Sequence, residues 1–587
     1  MNRIFSGLCL CVLVTSVIIL PACGGGGGHP PPPPSPISVA ITSPASAPTI
    51  QQGQTVNITA TLTNDTGNKG VTWSLSGQGS LSAQTSTTVT YNAPGSVTSN
   101  IVATVTATSV ADNTKSASLN ITVTPAAANN NGVLSGQYAF LISGFDDATG
   151  DRFAYIGSFT ANGSGAITTG VEDINLPSGA QNSVGIQGAY SVGTDNRGSV
   201  ALAGGGLITT FAFSLGAFNA GVATKLDIIE FDDNSGATGL RGSGVAYLQT
   251  AAAFNLTSIT GAYAFQLNGQ TASVGSKAVV EGSFSTAGTG TINAGVGDSN
   301  LAGTVTLGST VSGTLATTAS TASNGRLTLP FTVGTISDNS VVYVVSGGHL
   351  LLMTTDPISS GLLSGEIQAQ TSTAFSNSSL TGNVVLYSSG LSTVAGNSFV
   401  QAGILNFNSA NANGTVSLDT NDGGTQGTVS TTFTYSVAAN GQVTLTPATG
   451  PVLDLYLIDT NKAFIMDEGS LVNSGMLQAQ SAGPFSNSSV SGSYFLGLAE
   501  YPAVTAADVS SSVAYSSGNG VLFSTSDQSS ASGSLLTAQM QTFTLTISGA
   551  TGRATDASGN IYYIISPTSF VTIEATAHDS NVILAEQ

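Results

Sequence analysis

One pattern returns four times after residue 135, and this repetition constrains the fold more tightly than any other feature of the chain. It opens at Gly136-Gln137-Tyr138-Ala139-Phe140, Gly261-Ala262-Tyr263-Ala264-Phe265, Gly382-Asn383-Val384-Val385-Leu386 and Gly492-Ser493-Tyr494-Phe495-Leu496. Tyr138, Tyr263, Val384 and Tyr494 lie 125, 121 and 110 residues apart. The joints echo one another in Phe254-Asn255-Leu256, Phe375-Ser376-Asn377 and Phe485-Ser486-Asn487. So do the closing segments, which run out in Leu248-Gln249, Ile367-Gln368-Ala369-Gln370, Leu477-Gln478-Ala479-Gln480 and Leu584-Ala585-Glu586-Gln587. A period this long is a domain rather than a solenoid rung. The chain therefore carries four related modules, at 135–252, 253–374, 375–484 and 485–587.

The first module contains eight strand-like runs, near 137–143, 153–160, 166–172, 184–193, 198–204, 207–214, 224–231 and 240–249. Short Gly/Asn/Asp turns such as Ala161-Asn162-Gly163-Ser164-Gly165 join most of them. Sequential antiparallel strands in that number can close on themselves and remove the sheet edges. The expected fold is all-β, with each module a small eight-stranded up-and-down barrel. A sandwich per module ranks second, and a propeller spread over all four ranks third. Composition agrees: of 587 residues 72 are Gly and only 7% are charged, leaving the Ser/Thr/Asn/Val palette of turn-rich β-structure. Eleven Lys+Arg against thirty Asp+Glu give a net charge of −19, which leaves little to neutralise a phosphate backbone and excludes a nucleic-acid partner.

Upstream of the modules the chain changes character twice. Arg3 precedes an uncharged, mostly apolar run from Ile4 to Leu20, too short for a comfortable membrane span and suited to export. Leu20-Pro21-Ala22-Cys23 follows, and it resembles a bacterial lipobox. The resemblance implies a signal peptide at 1–22, acylation of Cys23 (palmitate among the chains) and a membrane partner reached through that lipid. Cys9 and Cys11 leave with the signal, so Cys23 is the one cysteine of the mature chain and no disulfide can form within it. Gly24 stands where, by the same resemblance, an aspartate would retain a lipoprotein at the inner membrane, so the expected location is the outer membrane or cell surface. Residues 23–36, rich in Gly and Pro, form a tether.

Residues 37–125 alternate as short strands, a spacing that suits a sandwich of about seven. Val71-Thr72-Trp73-Ser74, Tyr91-Asn92-Ala93-Pro94-Gly95 and Val105-Thr106-Ala107-Thr108-Ser109 resemble the pattern of a bacterial Ig-like domain. The resemblance implies a spacer or adhesion module without catalysis, with Trp73 in its core. A linker at 126–134 leads into the modules.

Chemistry-bearing groups are few. An acidic position recurs in Glu172-Asp173-Ile174-Asn175, Asp298-Ser299-Asn300 and Asp419-Thr420-Asn421, with Asp527 in the fourth module. Asp-x-Asn offers hard oxygen ligands, so Asp173, Asp298 and Asp419 are calcium candidates, as are Asp146, Asp147 and Asp151. No complete calcium loop is present, because Asp419-Thr420-Asn421-Asp422-Gly423 lacks the distal Glu. The preferred expectation is a turn, set by Asp and Asn bonding their own backbone, with no cofactor. Leu226-Asp227-Ile228-Ile229-Glu230 echoes Leu453-Asp454-Leu455-Tyr456-Leu457. Glu230 shares a strand face with Leu226 and Ile228, and Arg241 is its expected partner. A glycoside hydrolase would need two carboxylates converging on one bond. His29, His349 and His578 stand apart in tether, hairpin and loop, and neither Gly-x-Ser-x-Gly nor His-Glu-x-x-His occurs. No residue is assigned a catalytic role. The expectation is a lipid-anchored surface protein with a structural or adhesive role, meeting a surface glycan or protein. The alternative is a ligand-binding lipoprotein whose barrels hold glycans or small apolar molecules, and a glycan-active hydrolase comes third. Lumen-facing residues decide between the first two, since bulky filling favours the scaffold and small residues around polar groups favour a ligand.

Overall fold

In a computed structural model the chain is described at residues 35–125, 129–204, 207–232, 239–273, 276–392, 397–499, 507–575 and 581–587. Signal segment, Cys23 and His29 lie outside the described residues, as does His578. Two compact units emerge, Met1–Ala127 and Ala128–Gln587.

The first unit is a sandwich of two four-stranded sheets, one strand more than the spacing predicts. Its core is Ile58, Val89, Tyr91, Ala103, Val105, Leu119, Ile121 and Val123, all inward residues of alternating strands. Trp73 is half-buried against this cluster and donates Nε1–H to the Thr85 carbonyl at 3.0 Å. The fully buried ring is instead Tyr91, whose hydroxyl reaches the Gln78 carbonyl.

In the second unit each module is an antiparallel meander of eight strands. Module 1 uses Ser135–Asp146, Arg152–Asn162, Ala166–Leu176, Gly179–Val192, Arg197–Gly204, Leu207–Asn219, Val222–Glu230 and Leu240–Leu248, and it closes into a barrel. Module 3 closes likewise. In module 2 the fourth strand breaks into Thr304–Gly313 and Ala316–Thr317, and Val311–Gly313 pairs with Phe331–Val333 to complete the circuit. Module 4 is kinked in the same place, between Leu535–Thr544 and Thr546–Ile547, but its fifth strand is only Arg553–Thr555. The longer piece pairs with strand three and the shorter with strand five, which leaves a loose seam between them.

Each lumen is built from the inward half of the strand alternation. In module 1 Tyr138, Phe140, Phe153, Tyr155, Phe159, Phe211 and Phe213 fill it, with ring pairs at 5.5 to 6.4 Å. The joint phenylalanines Phe254, Phe375 and Phe485 belong to the core of the module that follows each.

The outward half carries apolar residues too, and these join the modules. Strands one and two of module 1 pack on strands six to eight of module 2, through Leu141, Ile156, Val341, Tyr343, Leu351 and Met353. The same strand sets join module 2 to 3, module 3 to 4 and module 4 back to 1. One head-to-tail interface repeated four times has closed into a ring.

Candidate functional site

The recurring aspartate sits inside the third strand, not at its turn, and reaches across a module boundary. Asp173 is fully buried and takes both Nε and Nη2 of Arg326 in module 2, at 2.7 and 2.6 Å, together with the Tyr343 hydroxyl at 2.7 Å. Asp419 receives Arg553 Nε at 2.5 Å and the Tyr563 hydroxyl in module 4. Asp527 receives Arg197 Nη1 at 2.7 Å in module 1. Strand register makes these acceptors' partners equivalent, because Arg326 faces Tyr343, Arg553 faces Tyr563, and Arg197 faces Ser214. The Asp-x-Asn asparagines work beside them. Asn175 donates to the Thr354 and Asp356 carbonyls, Asn300 to those of Asp467, Gly469 and Leu471, and Asn421 to that of Glu574. These residues thus act as latches between modules. Instead of setting the expected turn at a strand end, Asp173, Asp298 and Asp527 also hold a backbone amide on strand four (Ser183, Gly308, Ala538) where the register slips.

The closing glutamines form a second set of hooks. Gln249 Nε2 donates to the Asn324 and Val344 carbonyls of module 2, Gln370 to Asn440 and Leu457 of module 3, and Gln480 to Thr551 and Ile564 of module 4. Gln587 turns back to Ser491 of its own module.

The joint between modules 2 and 3 departs from this chemistry. Gln442 replaces the arginine and donates to Asp298 at 2.7 Å, alongside the Tyr456 hydroxyl. Glu281 and Asp454 occupy positions that are Ile156 and Val341 at the first joint and Ala402 and Ile561 at the third. Glu281 takes a bond from Gln266 at 3.0 Å, yet its Oε1 and the Oδ2 of Asp454 are buried without a partner. Asp454 lies beside Asp298 and Glu281, and burial among these acids favours its protonated form. Burial first, then the neighbouring acids, push Glu281 and Asp454 well above the carboxylate range.

Of the other acids singled out in the sequence, Asp146 caps a turn by accepting from the amides of Ala148 and Thr149. Asp147 pairs with Arg241 at 2.8 Å, and Asp151 accepts from Gln270 of module 2 at 3.1 Å. Arg241 also donates to the Ala507 carbonyl. Glu230 is buried at the end of strand seven and accepts from the Asp232 amide. The echo between Asp227 and Asp454 does not hold in space, because Asp227 lies on a seventh strand and Asp454 on a sixth. Among the described residues no group of three His, Cys, Asp or Glu side chains is disposed to hold a metal ion.

Two cavities carry polar linings that sequence reasoning missed. The first lies where all four modules meet and has a volume of about 240 Å³. Quasi-equivalent residues of the closing strands, Tyr247, Gln368, Gln478 and Glu586, line it with Lys225, Asp227, Glu366 and Lys462. Its acids are matched by basic groups, while Lys462 donates to the Gln368 amide oxygen at 3.1 Å. Lys225 bridges Glu586 and Asp227, and His349 lies 3.0 Å from Glu366, which also accepts from Tyr247 and Gln368. Burial acts to raise Glu366, but His349 and these hydrogen bonds outweigh it and hold the carboxyl at about 2. Burial dominates at Asp227 and pushes it up to about 6 despite Lys225. The second cavity, of about 200 Å³, is the lumen of module 4, lined by Ser510, Ser512, Ser524, Ser526, Gln528 and Thr572 among others. The one advance signal was the repeat itself, since aligned modules show which lumen has lost its large side chains.

No protein-family model matches this chain, and no curated protein is similar to it.

Proposed function

We propose that the chain is a lipid-anchored cell-surface protein, non-catalytic, with a structural or adhesive role. Lipidated Cys23 would hold it at the membrane, the Gly/Pro segment and Ig-like domain would lift the head outward, and the four barrels would form that head. The observation that carries this reading is the repeated latch. The recurrent acids are spent on Arg326, Arg553, Arg197 and Gln442 across module joints, so the acidic signature of the sequence serves assembly. A head interlocked in this way resists being pulled apart, which suits load at a cell surface.

The test has two arms. Cys23→Ala in the full chain is expected to move the protein from the membrane fraction to the soluble fraction, and external protease is expected to remove the wild-type protein from intact cells. Cells lacking the protein are expected to lose attachment to glycan- or protein-coated surfaces, and recovery must require the anchored form. Unchanged fractionation of Cys23→Ala would remove the anchor, and unchanged attachment would remove adhesion.

A second reading, ligand binding within a barrel, is favoured by the hollow lumen of module 4. The hydrolase reading draws less support. Glu172 and Glu230 both act on Tyr155 inside module 1, but large side chains occupy the space a substrate would need.

A further inference from the structure

Register lets the four lumens be compared position by position. Tyr138 faces Phe159 in module 1, and Tyr494 faces Ala514 in module 4. Stepping back along strand two from that pair, the lumen-facing residues are Phe159, Gly157, Tyr155 and Phe153 in module 1. In module 4 they are Ala514, Ser512, Ser510 and Asp508. The facing strands follow suit. Gly157 opposes Glu172 where Ser512 opposes Ser526, and Phe213 opposes Ile228 where Tyr562 opposes Thr572. Three aromatic side chains have become Asp, Ser and Ala on one strand, and neighbouring bulk has become hydroxyl. Emptying a packed core costs stability, because the lining loses its contacts. A lumen that is also polar fills with water.

The lining states what could replace that water. No Lys, Arg or His is among its described lining residues, which disfavours an anion. The hydroxyls of Ser510, Ser512, Ser526 and Thr572 bond to no other described side chain or backbone group, so donors and acceptors remain on offer around the wall. Asp508 and Gln528 are held against each other at 3.0 Å, and Asp508 is fixed again by the Ala531 amide. Leu496, Leu522, Phe543 and Ile583 supply apolar surface between these groups. Hydroxyls, amides and two carboxylates, Asp508 and Glu574, interleaved with apolar patches match a small ligand that bears hydroxyls around its rim and C–H on its faces. The volume admits one such ring and not a chain.

We infer that the module 4 lumen binds a single neutral sugar ring, either free or at the end of a glycan. This deepens the ligand-binding reading and depends on neither the anchor nor adhesion. The test is titration calorimetry on the full chain in detergent, with glucose, galactose, mannose and N-acetylglucosamine. Putrescine and calcium serve as charged counter-probes, and a reducing-end-free disaccharide separates terminal from free sugar. At least one sugar is expected to bind with a dissociation constant below about 1 mM. Ser510→Tyr, which restores the module 1 side chain, is expected to abolish that binding and to leave the melting temperature equal or higher. Thr572→Val removes one hydroxyl at constant shape and is expected to weaken binding about tenfold, so a folding defect in the tyrosine variant would not shield the inference. Absence of heat with every sugar overturns it, as does binding that both variants leave unchanged. Binding of putrescine or calcium alone overturns it in favour of a cation site at Asp508 and Glu574. Sugar binding together with unimpaired attachment in cells lacking the protein would retain the site and discard adhesion.

Discussion

Arg326 is 8% exposed and its carboxylate partner, Asp173, is fully buried, so neither charge has water to fall back on. Removing one side of such a pair leaves the other uncompensated, which costs about 3–5 kcal/mol. Arg326→Met is therefore expected to lower the denaturant midpoint far more than Arg197→Met, because the carboxylates left behind by Arg197, Asp195 and Asp527, keep access to water and Asp173 does not. Equilibrium unfolding in urea of both variants checks the order, and equal losses would show that the latch at the first joint is not special. Gly216 makes a different point at the same scale. A Cβ there would lie 1.7 Å from the Phe495 ring of module 4, so the fourth joint closes only because that position has no side chain. Gly216→Val is expected to destabilise the ring by at least as much as a large overpacking substitution, about 1–3 kcal/mol or more, read by the same unfolding curve.

At the scale of strands, the joint between modules 2 and 3 has Gln442 where the first and third use arginine, and it buries Glu281 and Asp454 as well. Facing one another are Glu281, Asp298 and Gln266 of module 2 and Gln442, Asp454, Tyr456, Asp467 and Glu468 of module 3, with Lys277 bonded to Ser389 nearby. Glu281 and Asp454 are raised by burial and by the other acids, and burial pushes Asp467 up to about 7. An acid whose folded pKa is raised stabilises the fold fully below its unfolded value and loses that contribution as pH climbs towards the folded value. Stability is thus expected to fall from about pH 5 upwards, by about 1.4 kcal/mol per pH unit for each extra proton held by the native state. Asp454→Asn supplies a permanent donor to Asp298 and is expected to flatten the decline in a series of melting temperatures from pH 5 to 9. If the decline is as steep in that variant, the proton does not reside there.

This joint also marks the limit of what the sequence discloses. Eight strands per module were legible because alternation and Gly/Asn turns are local signals, and the repeat multiplied each of them by four. The latches were not, although their residues were noticed. Asp173 and Asn175 show an acidic, turn-like pattern in one dimension, and only the packing of strand three on the neighbouring barrel reveals Arg326, 153 residues later. Likewise Asp227 and Asp454 sit in similar strings yet on different strands, because the first lies 89 residues beyond Tyr138 and the second only 70 beyond Val384. The lumen was within reach, since Ser510 and Ser512 stand at the positions of Tyr155 and Gly157, but register had to be known before the comparison could be made.

At the scale of the whole molecule, closure has an energetic consequence that no single joint shows. Four copies of one head-to-tail interface bury apolar surface at every joint, whereas an open row of four would have only three joints. The fourth forms intramolecularly, so once the others are in place it pays little loop entropy. Opening any joint then leaves the ends still held through the other three. Ending the chain after Ala482 removes module 4, and with it two joints, the axial cavity and the partners of Arg197 and Asp419. Modules 1 and 3 would each present a bare apolar edge, the former through Ala212 and Ile229, the latter through Val385, Val400 and Ala402. Exposed patches of that kind pair with one another, and here the two are complementary by construction. The truncated chain is therefore expected to assemble head to tail into higher oligomers, visible as concentration-dependent mass in light scattering, while the intact chain stays at one mass. A truncated chain that remains a single, stable monomer would mean that the joints are too weak to drive assembly, and that the ring is held together by its covalent connections alone.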